Sequence, residues 1–215
     1  MSKVIPAILV KSEEEYAKNL KIAENVTDLV QVDLVDGKFA KNLTILPDVI
    51  LDHPTNARLE IQVMVEDTIK FIKELVKCPW IFRIVIPIEV KRSIFESMYL
   101  IKKNNKQVGL SLNMQTNAIQ LEKYANDIDL VLILGVNPGF SGQKLNPVIF
   151  EKIHFIKTAH PNLAIEVDGG INFTNAEKIA RSGVNFLAVN SALFKAQNFR
   201  FAFETLAKRV SVFNN

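Results

Sequence analysis

The chain has 215 residues, of which 48% are hydrophobic and 23% are charged. This size and composition are typical of one globular domain and exclude a disordered chain, so we predict a single domain over residues 1–215. The opening VIPAILV is interrupted by Pro6 and followed by charged residues, and no run approaches the ~18 apolar residues of a membrane span. We therefore expect a cytoplasmic protein with no membrane partner. The single cysteine, Cys78, excludes an internal disulfide and cysteine-based metal sites.

The charge pattern argues against nucleic-acid binding. Lys and Arg total 26 against 23 Asp and Glu, and basic residues alternate with acidic ones along the chain. We interpret the basic residues around Lys91 and Lys208 as solvated helix faces, and we expect no nucleic-acid partner. The composition leaves open whether the protein forms a homo-oligomer.

Short runs of β-branched and apolar residues alternate with longer helical stretches along the whole chain. In chain order the runs are VIPAIL, LVQVDLV, RLEIQVMV, FRIVIPI, QVGLSL, DLVLIL, AIEVD and NFLAV. Strict alternation requires parallel strands, and strand followed by helix eight times over predicts a single (β/α)8 TIM barrel. A doubly wound open sheet is the alternative.

Helix-capping residues mark several of the intervening stretches. Capping boxes are predicted at Ser12 with Glu15, Ser93 with Glu96, and Thr174 with Glu177. Asn146 followed by Pro147 is typical of an N-cap and a first helical position, and Gly183 of a left-handed helix end.

Polar side chains two residues apart occur near the carboxyl ends of four predicted strands. The pairs are Gln31 with Asp33, Gln62 with Met64, Ser111 with Asn113, and Glu166 with Asp168. Residues two apart share a strand face, and polar groups inside a barrel are costly unless they are hydrogen-bonded or line a site at the C-terminal mouth. We predict functional roles for Asp33 and Asp168, whereas Ser111 and Glu166 fit an internal network equally well.

Three loops after the later predicted strands are rich in small residues. They are VNPGFSGQ at 136–143, the DGGIN segment after the seventh strand, and Asn190 with Ser191 after the eighth. Backbone amides in glycine-rich loops bind phosphate, and barrels often place such a site after strands seven and eight. The predicted phosphate-binding residues are Gly139, Phe140, Ser141, Gly142, Gly169, Gly170, Asn190 and Ser191.

These segments resemble a known family. QVDLVDGKFAKNLTI, QVMVED, VLILGVNPGFSGQK, IEVDGGIN and VNSALF resemble the ribulose-phosphate 3-epimerase family, from Ile5 to about Phe194. The resemblance implies a ribulose-phosphate-binding barrel that interconverts ribulose 5-phosphate and xylulose 5-phosphate in carbohydrate metabolism. One group removes a proton from C3 and another returns one to the opposite face, and by resemblance Asp33 and Asp168 are these acid/base groups. Gln31, Gln62, Met64 and Asn113 would contact the sugar.

The sequence departs from the family pattern at the implied metal site. The two histidines that hold a divalent metal together with the carboxylates in the family correspond here to Gln31 and Gln62. The family's serine near the first strand is Ala7, and its histidine after the fourth strand falls at about Pro87. Carboxylate and amide oxygens suit magnesium or manganese and bind them weakly. We therefore expect no tightly bound cofactor, and at most weak Mg or Mn at Asp33 and Asp168.

Three functions remain open from the sequence. We prefer a phosphosugar epimerase without tightly held metal, because both carboxylates and the phosphate loops are present. The alternatives are a non-catalytic phosphosugar-binding barrel and an isomerase or lyase that acts on another phosphorylated ligand. Lys38 and Lys144 are interpreted as solvated loop lysines rather than Schiff-base residues.

Overall fold

The strands close into a barrel in the computed structural model, which describes residues 2–90 and 93–211. Eight parallel strands pair in chain order, and the last pairs back to the first. The strands are β1 (Lys3–Ile8), β2 (Leu29–Val35), β3 (Arg58–Met64), β4 (Ile81–Pro87), β5 (Gln107–Leu112), β6 (Leu130–Leu134), β7 (Ala164–Asp168) and β8 (Phe186–Val189). Every predicted run forms a strand, so the predicted barrel is confirmed. The open-sheet alternative is wrong because the sheet has no edge.

Helices surround the barrel. They are α1 (Glu13–Glu24), α2 (Pro47–Leu51), α3 (Thr68–Leu75), α4 (Ile94–Lys103), α5 (Val148–Ala159), α6 (Ala176–Arg181), α7 (Ser191–Phe194) and α8 (Phe199–Ser211). The predicted strict alternation is wrong at one connection. Between β5 and β6 the chain forms two short 3-10 helices, Ala118–Lys123 and Ala125–Asp127, the first capped by the Asn117 side chain. None of the described helices is long and apolar enough to cross a bilayer.

Of the first two predicted helix caps, one is present and the other is not. Ser12 precedes α1 and its hydroxyl accepts a hydrogen bond from the Glu15 N–H, as expected. Ser93 precedes α4 but does not cap it, because its hydroxyl contacts Thr68 Oγ1 at 2.9 Å and donates to the Val90 carbonyl.

Two further helix starts shift slightly from prediction. Thr174 is not a cap, because its N–H and hydroxyl both donate to Asn172 Oδ1 and α6 begins two residues later. Asn146 Oδ1 accepts from the Val148 N–H as an N-cap does, although Pro147 stands just before the first helical residue rather than within the helix. Gly183 ends α6 with φ of +90°, as predicted. The helix face predicted around Lys91 lies outside the described residues.

Strand side chains alternate between the helices and the barrel interior. The outward set, for example Ile61, Ile133 and Ile165, packs with the helices in the main core. Inside the barrel, Val85, Leu130, Leu132 and Leu134 form an apolar cluster on one side. The interior also holds buried polar side chains, which are Gln31, Asp33, Glu60, Gln62, Arg83, Ser111 and Glu166. The closed barrel therefore places a column of polar side chains below its mouth.

Candidate active site

A cavity opens at the carboxyl ends of the strands. Asp33, Met64 and Asp168 line it from the strand tips, and the loops after β6, β7 and β8 line the rest. It includes all eight residues predicted to bind phosphate: Gly139, Phe140, Ser141, Gly142, Gly169, Gly170, Asn190 and Ser191. Asn113 follows β5 but does not line this cavity. The structure thus brings the two carboxylates and the glycine-rich loops to one place.

Asp33 and Asp168 face a common point. One terminal amide atom of Gln62 lies 3.1 Å from Asp33 Oδ1 and 3.0 Å from Asp168 Oδ2. Those two carboxylate oxygens are therefore no more than about 6 Å apart, roughly two hydrogen-bond lengths. β1 and β8 separate the strands that carry them, so the carboxylates approach the point from different parts of the barrel wall. Such a pair is able to address two faces of one carbon atom.

The environment of this pair raises both pKa values. Burial raises the pKa of Asp33 well above its ordinary value, and the charge of Asp168 adds to the effect while a hydrogen bond from Gln31 opposes it. Burial likewise raises the pKa of Asp168 to about 7, against the opposing hydrogen bond from Gln31. Two interacting carboxylates titrate as a pair, so near neutral pH one is protonated while the other ionises.

The two glutamines lie under the carboxylates and not in the cavity. Gln31 and Gln62 are completely buried, and neither lines the mouth. Gln31 Nε2 donates to Asp33 Oδ1 at 2.7 Å and lies 3.0 Å from the terminal amide of Gln62. Their contacts are therefore to the carboxylates, whereas the contact with sugar expected for them stays a prediction.

The residues between the carboxylates do not fit a metal ion. The described part of the chain contains no cluster of three or more His, Cys, Asp or Glu side chains that could hold one. Divalent cations bind protein oxygens at about 2.0–2.6 Å. The point between Asp33 and Asp168 is instead filled by the Gln62 amide, which lies at hydrogen-bond distance from both.

The glycine-rich loops of the cavity offer backbone amides and no cationic side chains. Among the described residues, the N–H groups of Gly142, Gly170 and Ser191 have no acceptor, and no Lys or Arg lines the cavity. Gly170 has φ of +73°, and a Cβ there would lie 2.5 Å from the Leu145 backbone nitrogen. Only glycine allows this close approach of the loops after β6 and β7.

The Asn190 side chain is directed away from a ligand. Its Nδ2 donates to the Ala7 carbonyl at 2.7 Å, which joins the end of β8 to β1. Asn190 therefore contacts Ala7, one of the departures from the family pattern. A ligand at this position meets the backbone of Asn190 rather than its side-chain N–H.

Several features of the site were not found from the sequence. The cavity has an apolar side formed by Leu9, Leu134, Ile171 and Ala188. Leu134 and Ala188 are the last inward-facing residues of their strands, so the alternation in the sequence does place them at the mouth. Apolar residues in strands do not indicate a function, however, and neither was predicted as a site residue. The loop lysines agree with their interpretation: Lys144 is exposed, and Lys38 is exposed 3.7 Å from Glu66.

Sequence comparison identifies relatives along nearly the whole chain. Residues 3–194 match the model of the Ribulose-phosphate 3 epimerase family. The chain is 32% identical over 212 residues to ribulose-phosphate 3-epimerase of Helicobacter pylori, covering 95% of this chain and 96% of that protein. It is 30% identical over 202 residues to ribulose-phosphate 3-epimerase of Bacillus subtilis, covering 90% and 93%.

Solved structures show the same fold at low identity. 3-Hexulose-6-phosphate synthase from Salmonella typhimurium has a TM-score of 0.73 at 13% identity, covering 97% of this chain and 98% of that one. Orotidine 5′-phosphate decarboxylase from Pyrococcus horikoshii has a TM-score of 0.71 at 14% identity, covering 98% and 100%. These similarities concern the fold alone, whereas the sequence match with the epimerases covers the strands that carry both carboxylates. The chain is an isomerase that belongs to the ribulose-phosphate 3-epimerase family.

Proposed function

We propose that this protein epimerises ribulose 5-phosphate and xylulose 5-phosphate at C3 without a tightly bound metal. The observation that carries the proposal is the placement of Asp33 and Asp168 around one point, beside loops with free backbone N–H groups. We also propose that the enzyme is cytoplasmic and has no nucleic-acid partner.

The chemistry follows from the two protonation states of the pair. Asp168, with a pKa of about 7, is ionised in a large fraction of molecules near neutral pH and removes the C3 proton as general base. Burial also raises the pKa of Asp33 well above its ordinary value, so we assign the proton of the pair to Asp33, which delivers it to the opposite face. The reverse reaction exchanges the two roles. Because inversion needs one acid and one base, a pair with unequal pKa values suits it.

The phosphate of the substrate is assigned to the loops after β6, β7 and β8. Backbone N–H groups of Gly142, Gly170 and Ser191 are free to donate to phosphate oxygens. When the phosphate is bound there, the distance from the loops to the carboxylates determines which carbon of the sugar chain lies beside them. Binding energy from the phosphate then contributes to positioning C3 against both carboxyl groups on their cavity side, above the Gln62 amide.

The metal expected from the family has no place in this mechanism. A Mg or Mn ion at Asp33 and Asp168 would have to displace the buried Gln62 amide, so any such binding is weak. The chain's own residues supply the remaining stabilisation, through the protonated Asp33 and the amide N–H groups around it.

A second candidate function is a non-catalytic phosphosugar-binding barrel. The glutamines at the family's histidine positions favour it, because they remove the two strongest metal ligands. This candidate predicts ligand binding without proton exchange at C3, so a single measurement separates the two functions.

The test is incubation with ribulose 5-phosphate in deuterated water, followed by NMR of C3. The expected result is solvent deuterium at C3 and formation of xylulose 5-phosphate in the presence of EDTA. Asp33→Asn and Asp168→Asn should each lower exchange by at least about 1000-fold while phosphosugar binding remains.

Asp28→Asn is the matched control. Asp28 is exposed at the other end of the barrel, where it pairs with Arg58, so its replacement should leave exchange unchanged. Binding without any exchange in the unmodified protein would favour the non-catalytic function, and exchange that survives in both active-site variants would assign proton transfer elsewhere.

A further inference from the structure

The side chain of Gln62 lies in the position that a bridging group between Asp33 and Asp168 must occupy. It is fully buried on β3, and its terminal amide atom is 3.1 Å from one carboxylate and 3.0 Å from the other. Asp33 is also the register partner of Gln62 on the neighbouring strand. The contact is therefore set by the pairing of β2 with β3 and is not an accident of a mobile side chain.

The chemistry of the contact favours nitrogen facing the carboxylates. With the amide oxygen in that place, Gln62 accepts one hydrogen bond from Gln31 but directs its oxygen at two carboxylate oxygens. With the nitrogen in that place, Gln62 donates to both carboxylates, at the cost of the bond from Gln31, whose Nε2 then lies 3.0 Å from the Gln62 nitrogen. An amide NH2 group has two donors, and hydrogen bonds to ionised acceptors are about twice as strong as neutral ones. The orientation with nitrogen facing the carboxylates is therefore favoured when one of them is ionised.

We propose that Gln62 is a positioning residue that links Asp33 to Asp168 through its amide N–H groups and takes the place of a divalent cation between them. Its amide holds the two carboxylates at a fixed separation and places partial positive charge where they repel each other. Because Gln62 fills the point between them, a cation cannot approach both at bonding distance. The catalytic consequence rests on the proposed function, whereas exclusion of the cation does not.

The substitution that tests this link is Gln62→Glu. It keeps the length and shape of the side chain, replaces both N–H donors by an acceptor oxygen, and adds a third carboxylate to the pair. The link is lost, and three carboxylates now surround one point, which is an oxygen-rich site suited to Mn2+. Gln120→Glu is the matched control, because Gln120 is exposed on the first 3-10 helix.

The measurements are Mn2+ binding by electron paramagnetic resonance and C3 exchange with and without Mn2+. We expect weak or no Mn2+ binding in the unmodified protein and in Gln120→Glu, and at least about tenfold tighter binding in Gln62→Glu. In EDTA, exchange by Gln62→Glu should fall at least about tenfold, and Mn2+ should restore part of it. Restoration by the cation distinguishes a link between the carboxylates from a general packing role.

Two results would overturn the inference. One is stoichiometric Mn2+ binding by the unmodified protein that is lost in Asp33→Asn; this measurement also decides the matter if Gln62→Glu does not fold. The other is a folded Gln62→Glu variant with no gain in Mn2+ affinity. If the unmodified protein shows neither exchange nor Mn2+ binding and the variant gains the ion, the proposed function fails and the link between the carboxylates stands.

Discussion

Arg83 Nε donates a 2.5 Å hydrogen bond to Glu60 Oε2 in the barrel interior, where both side chains are almost completely buried. Glu60 lies two residues before Gln62 on β3, so this ion pair is on the same interior face, one step below the carboxylate pair. The rings of Phe82 and Phe186 lie 5.0 and 5.1 Å from the Arg83 guanidinium. The arginine is thus held between aromatic rings and a buried carboxylate.

The interior around this ion pair is rich in carboxyl groups. Glu166 is fully buried, and its carboxyl lies within hydrogen-bond reach of the Glu60 carboxyl. Burial raises the pKa of Glu166 well above its ordinary value, and the charge of Glu60 adds to this while Arg83 opposes it. After burial, Glu60 also contributes to the raised pKa values of Asp33 and Asp168. The charged interior layer therefore influences the pKa values of Asp33 and Asp168.

Removing the buried cation should destabilise the fold strongly. Arg83→Met leaves Glu60 charged and unpaired inside the barrel, so we expect a loss of about 3–5 kcal/mol in the free energy of unfolding. Urea denaturation measures it. Arg58→Met is the control, because its ion pair with Asp28 is exposed and should contribute about 0–1 kcal/mol. A loss no larger than in the control would show that the buried ion pair does not stabilise the fold.

The pH dependence of C3 exchange should report the raised pKa values. Since Asp168 must be ionised to act as base, exchange should rise with pH up to about 7 and above, and it should fall again at higher pH as Asp33 loses its proton. The measurement is the initial rate of deuterium incorporation at subsaturating substrate. Phosphosugar binding over the same range is the control, because the substrate phosphate itself titrates near about pH 6. A rate that is already maximal at about pH 5 would mean that the base has the ordinary pKa of a carboxyl group.

Two glycines of the mouth should respond differently to a side chain. A Cβ at Gly142 meets no atom within 4 Å, so Gly142→Val should fold, at a cost of about 1–2 kcal/mol for its φ of +80°, and reduce phosphosugar affinity by filling the mouth. Gly170→Ala should unfold more readily, because its Cβ would meet the Leu145 backbone. Ser191→Ala keeps the backbone N–H and should weaken binding only modestly. Calorimetric titration and thermal unfolding measure these effects, and undiminished affinity in Gly142→Val would place the phosphate elsewhere.

Histidines at the two glutamine positions should create a zinc site. The double substitution Gln31→His and Gln62→His places two imidazoles beside Asp33 and Asp168, which completes a four-ligand set. Zinc content after dialysis should rise from little or none to about one ion per chain, although missing hydrogen-bond partners for the imidazoles could lower affinity by about 10–100-fold. Gain of metal with gain of turnover would show that the pocket still fits the substrate. Stoichiometric zinc or iron in the unmodified protein would contradict the metal-free mechanism.

The sequence alone determined the barrel and the glycine-rich loops at its mouth. Eight alternating runs predicted all eight strands, because apolar alternation is a local property of the chain and β/α units have few stable arrangements. The glycine-rich loops after β6 and β7 were also predictable, because a left-handed turn or a close approach of two backbones requires glycine at that position. The 3-10 helices after β5 were missed, although the Asn117 cap before the first of them is a local signal.

Only the tertiary structure decided what the polar residues do inside the barrel. The two-residue spacing of Gln31 and Asp33 placed them on one face, but it did not show that Gln62 reaches both carboxylates, since that contact depends on the register between β2 and β3 and on the closure of β7 near β2. The Glu60–Arg83 pair was equally invisible, because its partners lie 23 residues apart on different strands. Distances between strands, and with them the pKa values of buried carboxyl groups, are set by the closed barrel and not by any local pattern.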